Sequence, residues 1–368
     1  VSGRDAGPDS IRLRTSAKVA LGVFVVAAAV LASATGDLGL TYDEPAYRHS
    51  QEVSVQWWGR LARARSAADL AALLDPDALL YYWPYGRHGI NFHPPLSGQA
   101  NLLAYALFGG WMKDIPARRM ASALELAATA AVWCAFLSRR YGLTAGLGAA
   151  GSLLLMPRVF GQALLIDTDT PGLLVWTLAL VACWKGLHDP EPNARRWRVA
   201  VGVLAGLAFV QKMATVAVLL PILAWLVVGH GPGALRRGRG RDRLDGLVTL
   251  GPQLLLLGVA FLEIRRIAAQ LPPPGYTDLF VHRPPARLPG LFLALPLGVW
   301  IARRLLARLR PQSPLWGPPR PALEMVSAIL AFGPVVGWLG NPAWWRETFT
   351  RLAHYYLLNT RREGALPD

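Results

Sequence analysis

A chain whose apolar residues come in blocks long enough to cross a hydrocarbon core has few folds open to it. Such runs lie at roughly 17–35, 94–112, 119–137, 143–160, 171–187, 198–211, 213–229, 246–263, 289–302 and 322–340. In lipid every backbone N–H and C=O must find a partner within the protein, so segments of this kind fold as helices. Composition agrees: 53% of the residues are hydrophobic and 17% are charged, against about 25% charged in soluble domains. A large soluble α/β enzyme with buried strands is the alternative, and the block lengths disfavour it. The expectation is an all-α polytopic membrane protein with about nine or ten hydrophobic segments.

The formal charge of +15 raises the question of a nucleic-acid partner, and the positions of the charges answer it. Arg139–Arg140, Arg195–Arg198, Arg236–Arg243 and Arg303–Arg310 fall in short links between apolar runs. That is the pattern of cytoplasmic loops, not of a nucleic-acid stripe. Arg12, Arg14 and Lys18 precede the first run, so the N-terminus is expected in the cytoplasm and Asp43 on the opposite side. Residues 17–35 have the form of a signal-peptide core, but the many runs that follow favour an uncleaved first span. If 94–112 is re-entrant or interfacial, every later basic cluster reaches the cytoplasm, leaving Arg118 and Arg119 outside. Cys134 and Cys183 lie inside apolar runs and offer neither a disulfide framework nor a metal spacing. Val1 in place of a starting methionine, and the final RREGALPD, point to a fragment of a longer protein.

Three segments meet on the outer face under this topology. Residues 36–93 form a large first loop, in which VSVQWWGRLARA (53–64) and DLAALLDPDALLYYW (69–83) alternate apolar and polar residues at helical spacing. Both read as amphipathic helices in the interface. The loop opens with TYDEPAYRH, placing Asp43 and Glu44 side by side where the first helix ends. The second segment is MPRVFGQALLIDTDTPGLLVW (156–176), with Asp167 and Asp169 before an apolar run. Either Asp could be a plain N-cap ahead of Pro171, and the Asp-Glu pair could be solvated loop charge. The third is the turn at Gln211–Lys212–Met213, which splits an apolar stretch too long for one span. A cation at such a membrane edge is a functional candidate. His93, before two prolines, marks a rigid non-helical start to the next apolar segment.

Taken in order, these pieces resemble the GT-C superfamily of membrane glycosyltransferases, and within it the protein mannosyltransferase and aminoarabinose-transferase branch, glycosyltransferase family 39. The resemblance rests on Asp43–Glu44 after the first helix, His93-Pro94-Pro95-Leu96, the Arg-led RMASALELAATAAVWCAFLSRRYG (119–142), the Pro-to-Asp stretch ending at Asp169, and GLAFVQKMATVAVLLPILAW (206–225). One departure is Met213-Ala214, where the family usually has Phe-Thr.

The resemblance implies a GT-C-like transmembrane catalytic domain over 1–340, with 36–93 as its first extracytoplasmic loop. Residues 341–368 follow as an extracytoplasmic interfacial segment, truncated at its end. It implies transfer of a sugar from a polyprenyl-phosphate donor to a protein, glycan or lipid acceptor outside the inner (plasma) membrane, with inversion. Asp43, Glu44 and Asp169 are the expected catalytic carboxylates, with Asp43 as base. His93, Arg158 and Lys212 are the expected substrate contacts, although Arg158 could equally snorkel at a helix end. His282 and Arg283, in the outer loop 264–288, are further candidates for contact with donor or acceptor. The resemblance fixes no cofactor; carboxylate oxygens would suit Mg²⁺ or Mn²⁺, so metal use stays open. A transporter or lipid flippase is the alternative function; it predicts polar residues distributed through the spans and inverted repeats, and the charges instead gather at the two faces.

Overall fold

The computed structural model describes residues 8–84, 95–211, 287–312 and 321–340, with scattered positions between 247 and 266. Every regular element among them is a helix: α1 Pro8–Ala34, α2 Glu44–Arg63, α3 Ala67–Leu73, α4 Pro76–Tyr82, α5 Leu96–Phe108, α6 Asp114–Tyr141, α7 Leu143–Leu154, α8 Pro157–Gln162, α9 Asp169–His188, α10 Asn193–Gln211, α11 Arg287–Leu309 and α12 Pro321–Gly340. Three helices among the described residues are long and apolar enough to cross a membrane: Thr15–Ala34, Asp114–Tyr141 and Asp169–His188. The described residues are therefore all-helical, with the several apolar helices of a multi-pass membrane protein. The runs at 213–229 and 246–263 fall outside the continuously described residues, as do the loop 264–288 with His282 and Arg283, and the segment 341–368.

Two segments differ from their sequence reading, and proline explains both. The run 143–160 is not one helix. It breaks into α7 and α8 ahead of Pro157, whose ring and missing N–H disfavour an unbroken helix there. The amphipathic stretch 69–83 likewise divides into α3 and α4 at Asp75–Pro76. The run 94–112, expected to be re-entrant or interfacial, contains the short helix α5. Its 13 residues rise only about 20 Å, short of the roughly 30 Å hydrocarbon core.

Small residues set how closely the spans pack. Ala123, Leu126 and Ala127 of α6 meet Ala27 and Leu31 of α1 in one buried cluster. Against α7, a Cβ on Gly146 would stand 2.0 Å from Ser138 Oγ and 2.5 Å from the Cys134 carbonyl. On α10, a Cβ on Gly202 would stand 2.3 Å from the Ala328 carbonyl of α12, and one on Gly206 2.5 Å from Val336. With lipid outside there is little hydrophobic drive between spans, so close backbone approach through small residues is the source of contact energy. An aromatic knot anchors the first loop instead: Trp57 lies 5.0 Å from Trp58 and 5.3 Å from Trp83, and its Nε1 donates to the Leu73 carbonyl at 3.1 Å.

Candidate active site

The first loop is fastened to the bundle by one buried ion pair. Arg119, near the start of α6, donates through Nε to Glu44 Oε1 at 2.8 Å and through Nη2 to Oε2 at 2.7 Å. Its remaining N–H groups reach the carbonyls of Thr35, Leu38 and Gly39 at 2.8–2.9 Å. All five guanidinium donors are thereby used, and three of them close the turn that follows α1. Glu44 is equally saturated. Oε1 also accepts from the Ile166 amide at 3.0 Å, and Oε2 from the Thr41 amide at 2.9 Å. Burial pushes the Glu44 carboxyl up, but the Arg119 hydrogen bond and the two amides bring it below the ordinary glutamate value. The clasp joins the end of α1, the start of α2, α6 and the loop before α9.

Arg118 is buried beside it. It donates to Asp114 Oδ1 at 2.8 Å and to Gln51, and its guanidinium lies 4.3 Å from the centre of the Tyr105 ring. Both arginines that fit poorly with the positive-inside reading are thus internal partners rather than markers of topology.

The clasp gathers carboxylates at one end of the bundle. Asp43 is the exposed residue before α2, and its side chain makes no capping hydrogen bond. Asp169 is exposed in the first turn of α9. Tyr47 lies within electrostatic range of both: its phenol is pushed up by burial and by the charges of Asp43, Asp167 and Asp169, so it stays protonated. Asp167 does the capping work: Oδ1 accepts from the Thr168 amide at 2.6 Å, and Oδ2 from the Thr170 amide and hydroxyl at 3.0 and 3.1 Å. Burial and the neighbouring Asp169 charge nonetheless hold its carboxyl above the usual aspartate range. Tyr47, Ser97, Asn101, Asp167 and Thr168 line a small cavity of about 10 Å³, room for roughly one water.

The structure brings Asp43, Glu44, Asp167 and Asp169 together, while Arg158 sits exposed on α8. His93 and Lys212 lie outside the described residues. The residue before Lys212 does reach the site, for Gln211 is buried and its Nε2 donates to the Thr168 carbonyl. The sequence reading missed Arg119 as the partner of Glu44, Tyr47 as the phenol within electrostatic range of the carboxylates, and Glu125. Glu125 lies on α6 two turns below the clasp, within electrostatic range of Asp167, with Oε2 buried and unpartnered among the described residues. A lone Glu inside an apolar span was the available signal. Among the described residues no three His, Cys, Asp or Glu side chains converge as metal ligands.

Residues 92–238 match the family model described as dolichyl-phosphate-mannose-protein mannosyltransferase, a membrane glycosyltransferase family of GT-C type. The match takes in the His93-Pro94-Pro95-Leu96 segment, α6 with Arg119, Asp169 and Lys212, and begins after the Asp43–Glu44 pair. No curated protein and no solved structure matches the chain.

Proposed function

We propose that this chain is an integral-membrane glycosyltransferase that moves a sugar from a polyprenyl-phosphate donor to an acceptor outside the cytoplasm, with inversion. The observation that carries the reading is the Glu44–Arg119 clasp. It holds Asp43 and Asp169, from segments far apart in sequence, beside Tyr47 at one end of membrane-spanning helices. A donor whose tail partitions into the bilayer requires a site at that edge.

Asp43 is the general base, taking the proton of the acceptor hydroxyl or amine as it attacks the anomeric carbon. It is exposed and free of the capping role, and so accessible to an incoming acceptor. Attack opposite the leaving phosphate in one displacement inverts the anomeric centre. Asp169 and the Tyr47 hydroxyl orient acceptor or sugar hydroxyls. Glu44 is a positioning residue, because its four acceptor positions are already taken. Lys212, Arg158 and His93 hold the donor phosphate, whose developing charge needs cations rather than a general acid. The cytoplasmic N-terminus and outer active site follow from the basic loops.

The test is transfer of label from polyprenyl-phosphate sugars in membranes carrying wild type, Asp43→Asn or Arg48→Ala. Asp43→Asn should lose at least a hundredfold in rate with unchanged thermal melting, and Arg48→Ala should stay near wild type. Equal rates for Asp43→Asn and wild type would remove Asp43 from the chemistry.

A further inference from the structure

The opposite end of the same helices carries a second feature. α6 and α9 run away from the carboxylates, so their last turns and the first turns of α10 lie together a membrane's thickness away. Between them opens a groove of about 980 Å³. Its floor is apolar, including Val132, Ala135, Val203 and Leu204, and its rim carries Arg139, Arg140, Lys185 and Arg196 against one carboxylate, Asp189. That carboxylate is taken by Lys185 at 3.1 Å.

Helix polarity explains only part of this rim. Arg139, Arg140 and Lys185 stand in the last turns of α6 and α9, where a helix welcomes cations. Arg196 stands in the first turn of α10, where the macrodipole opposes it. The arginines near it have partners: Arg198 binds Glu324 and Glu191, and Arg195 lies 3.9 Å from Glu324. Arg196 has no carboxylate partner among the described residues; it is exposed and turned to the groove. Arg140 is held in place by aromatic faces, 4.6 Å from the Trp184 ring centre and 4.7 Å from Phe136. Lys185 stands 4.6 Å over Trp197. A fixed cationic rim over an apolar trough at membrane depth complements one kind of molecule, an anionic headgroup on acyl chains.

We propose that this groove is a binding site for an anionic phospholipid of the leaflet opposite the carboxylates, with its phosphate between Arg140, Lys185 and Arg196 and its chains along the α6–α10 trough. The site stands apart from the transfer chemistry and does not depend on it.

The experiment uses the full-length chain in nanodiscs of phosphatidylcholine with a minor fraction of phosphatidylglycerol, and reads retained lipid by native mass spectrometry. Wild type should retain one phosphatidylglycerol in preference to phosphatidylcholine. Arg140→Gln/Arg196→Gln should cut that preference about tenfold or more, with helical content unchanged. The conservative Arg140→Lys/Arg196→Lys should keep most of it, and Arg308→Gln, a basic change outside the groove, should keep all of it. Equal retention of both lipids by wild type, equal loss in the Arg308 variant, preferential retention of polyprenyl phosphate there, or a dimer mass that displaces the lipid would each overturn the proposal.

Discussion

Glu44→Gln tests the clasp on which the site depends. The substitution preserves shape but removes the charge opposite Arg119, and both residues are almost wholly excluded from solvent, at 0% and 1% exposure. The amide nitrogen must also point at a donor, either the guanidinium or one of the amides of Thr41 and Ile166. Breaking a buried pair by neutralising one partner costs about 3–5 kcal/mol, because the other charge stays buried and uncompensated. The cost falls on opening the junction between the first loop and the bundle. Hydrogen exchange in detergent micelles reads it locally, at the Thr41 and Ile166 amides that donate to Glu44. Three kcal/mol corresponds to exchange faster by on the order of a hundredfold. Arg48→Ala breaks an exposed pair, Arg48 to Asp114 at 2.8 Å with 48% and 30% exposure, and should change these amides by about 1 kcal/mol at most. If Glu44→Gln behaves like Arg48→Ala, the pair does not fasten the loop. Its transfer activity should fall with the opening and recover in part on adding stabilising lipid, whereas Asp43→Asn should not recover.

Two further outcomes follow from the same region. Asp167 caps α9 through three hydrogen bonds, so Asp167→Ala should cost about 1 kcal/mol while Asp167→Asn costs little, as read by exchange at the Thr168 and Thr170 amides. The clasp also carries a pH signature. Glu44 sits below its ordinary value of 4.5 in the folded chain, so its contribution is complete above that pH and is lost as pH falls through the depressed folded value. Asp167 is shifted upward and works in the other direction, so protonating it favours the fold. Exchange at Ile166 should therefore accelerate below pH 4.5 in wild type, and that acid limb should vanish in Glu44→Gln.

How much of this was legible in the sequence depends on which forces write a linear pattern. Runs of apolar residues record burial in lipid directly, so the all-helical, membrane-spanning class could be read from them. The topology drawn from the basic loops put three segments on one face, and hydrogen bonds join Ile166 to Glu44 and Gln211 to Thr168. Pro157 and Pro76 were visible, yet their effect depended on whether neighbouring helices could absorb a kink, and the two runs break there. Arg118 and Arg119 misled for a different reason. A loop-charge rule counts cations but cannot see that a distant Glu44 or Gln51 neutralises or hydrogen-bonds them within the fold. Pairing across 75 residues of chain leaves no local trace in one sequence.

The Asp43–Glu44 pair shows where residue type stops deciding role. The two carboxylates are neighbours in sequence and near-equivalents in chemistry, and a pattern reading gives them one function. The start of α2 separates them. Successive residues on a helix point about 100° apart, so Glu44 can turn inward to Arg119 while Asp43, on a different face, is exposed. One becomes buried and saturated, the other exposed with its side chain outside the capping bonds. Exchanging them tests the point without changing composition. An Asp43→Glu/Glu44→Asp chain keeps both charges, but the shortened inner side chain cannot span to both Arg119 and the Ile166 amide. That variant should open the Ile166 amide nearly as much as Glu44→Gln, although no charge has been removed. Wild-type protection in the exchanged chain would mean that charge alone, and not the reach of Glu44, holds the first loop in place.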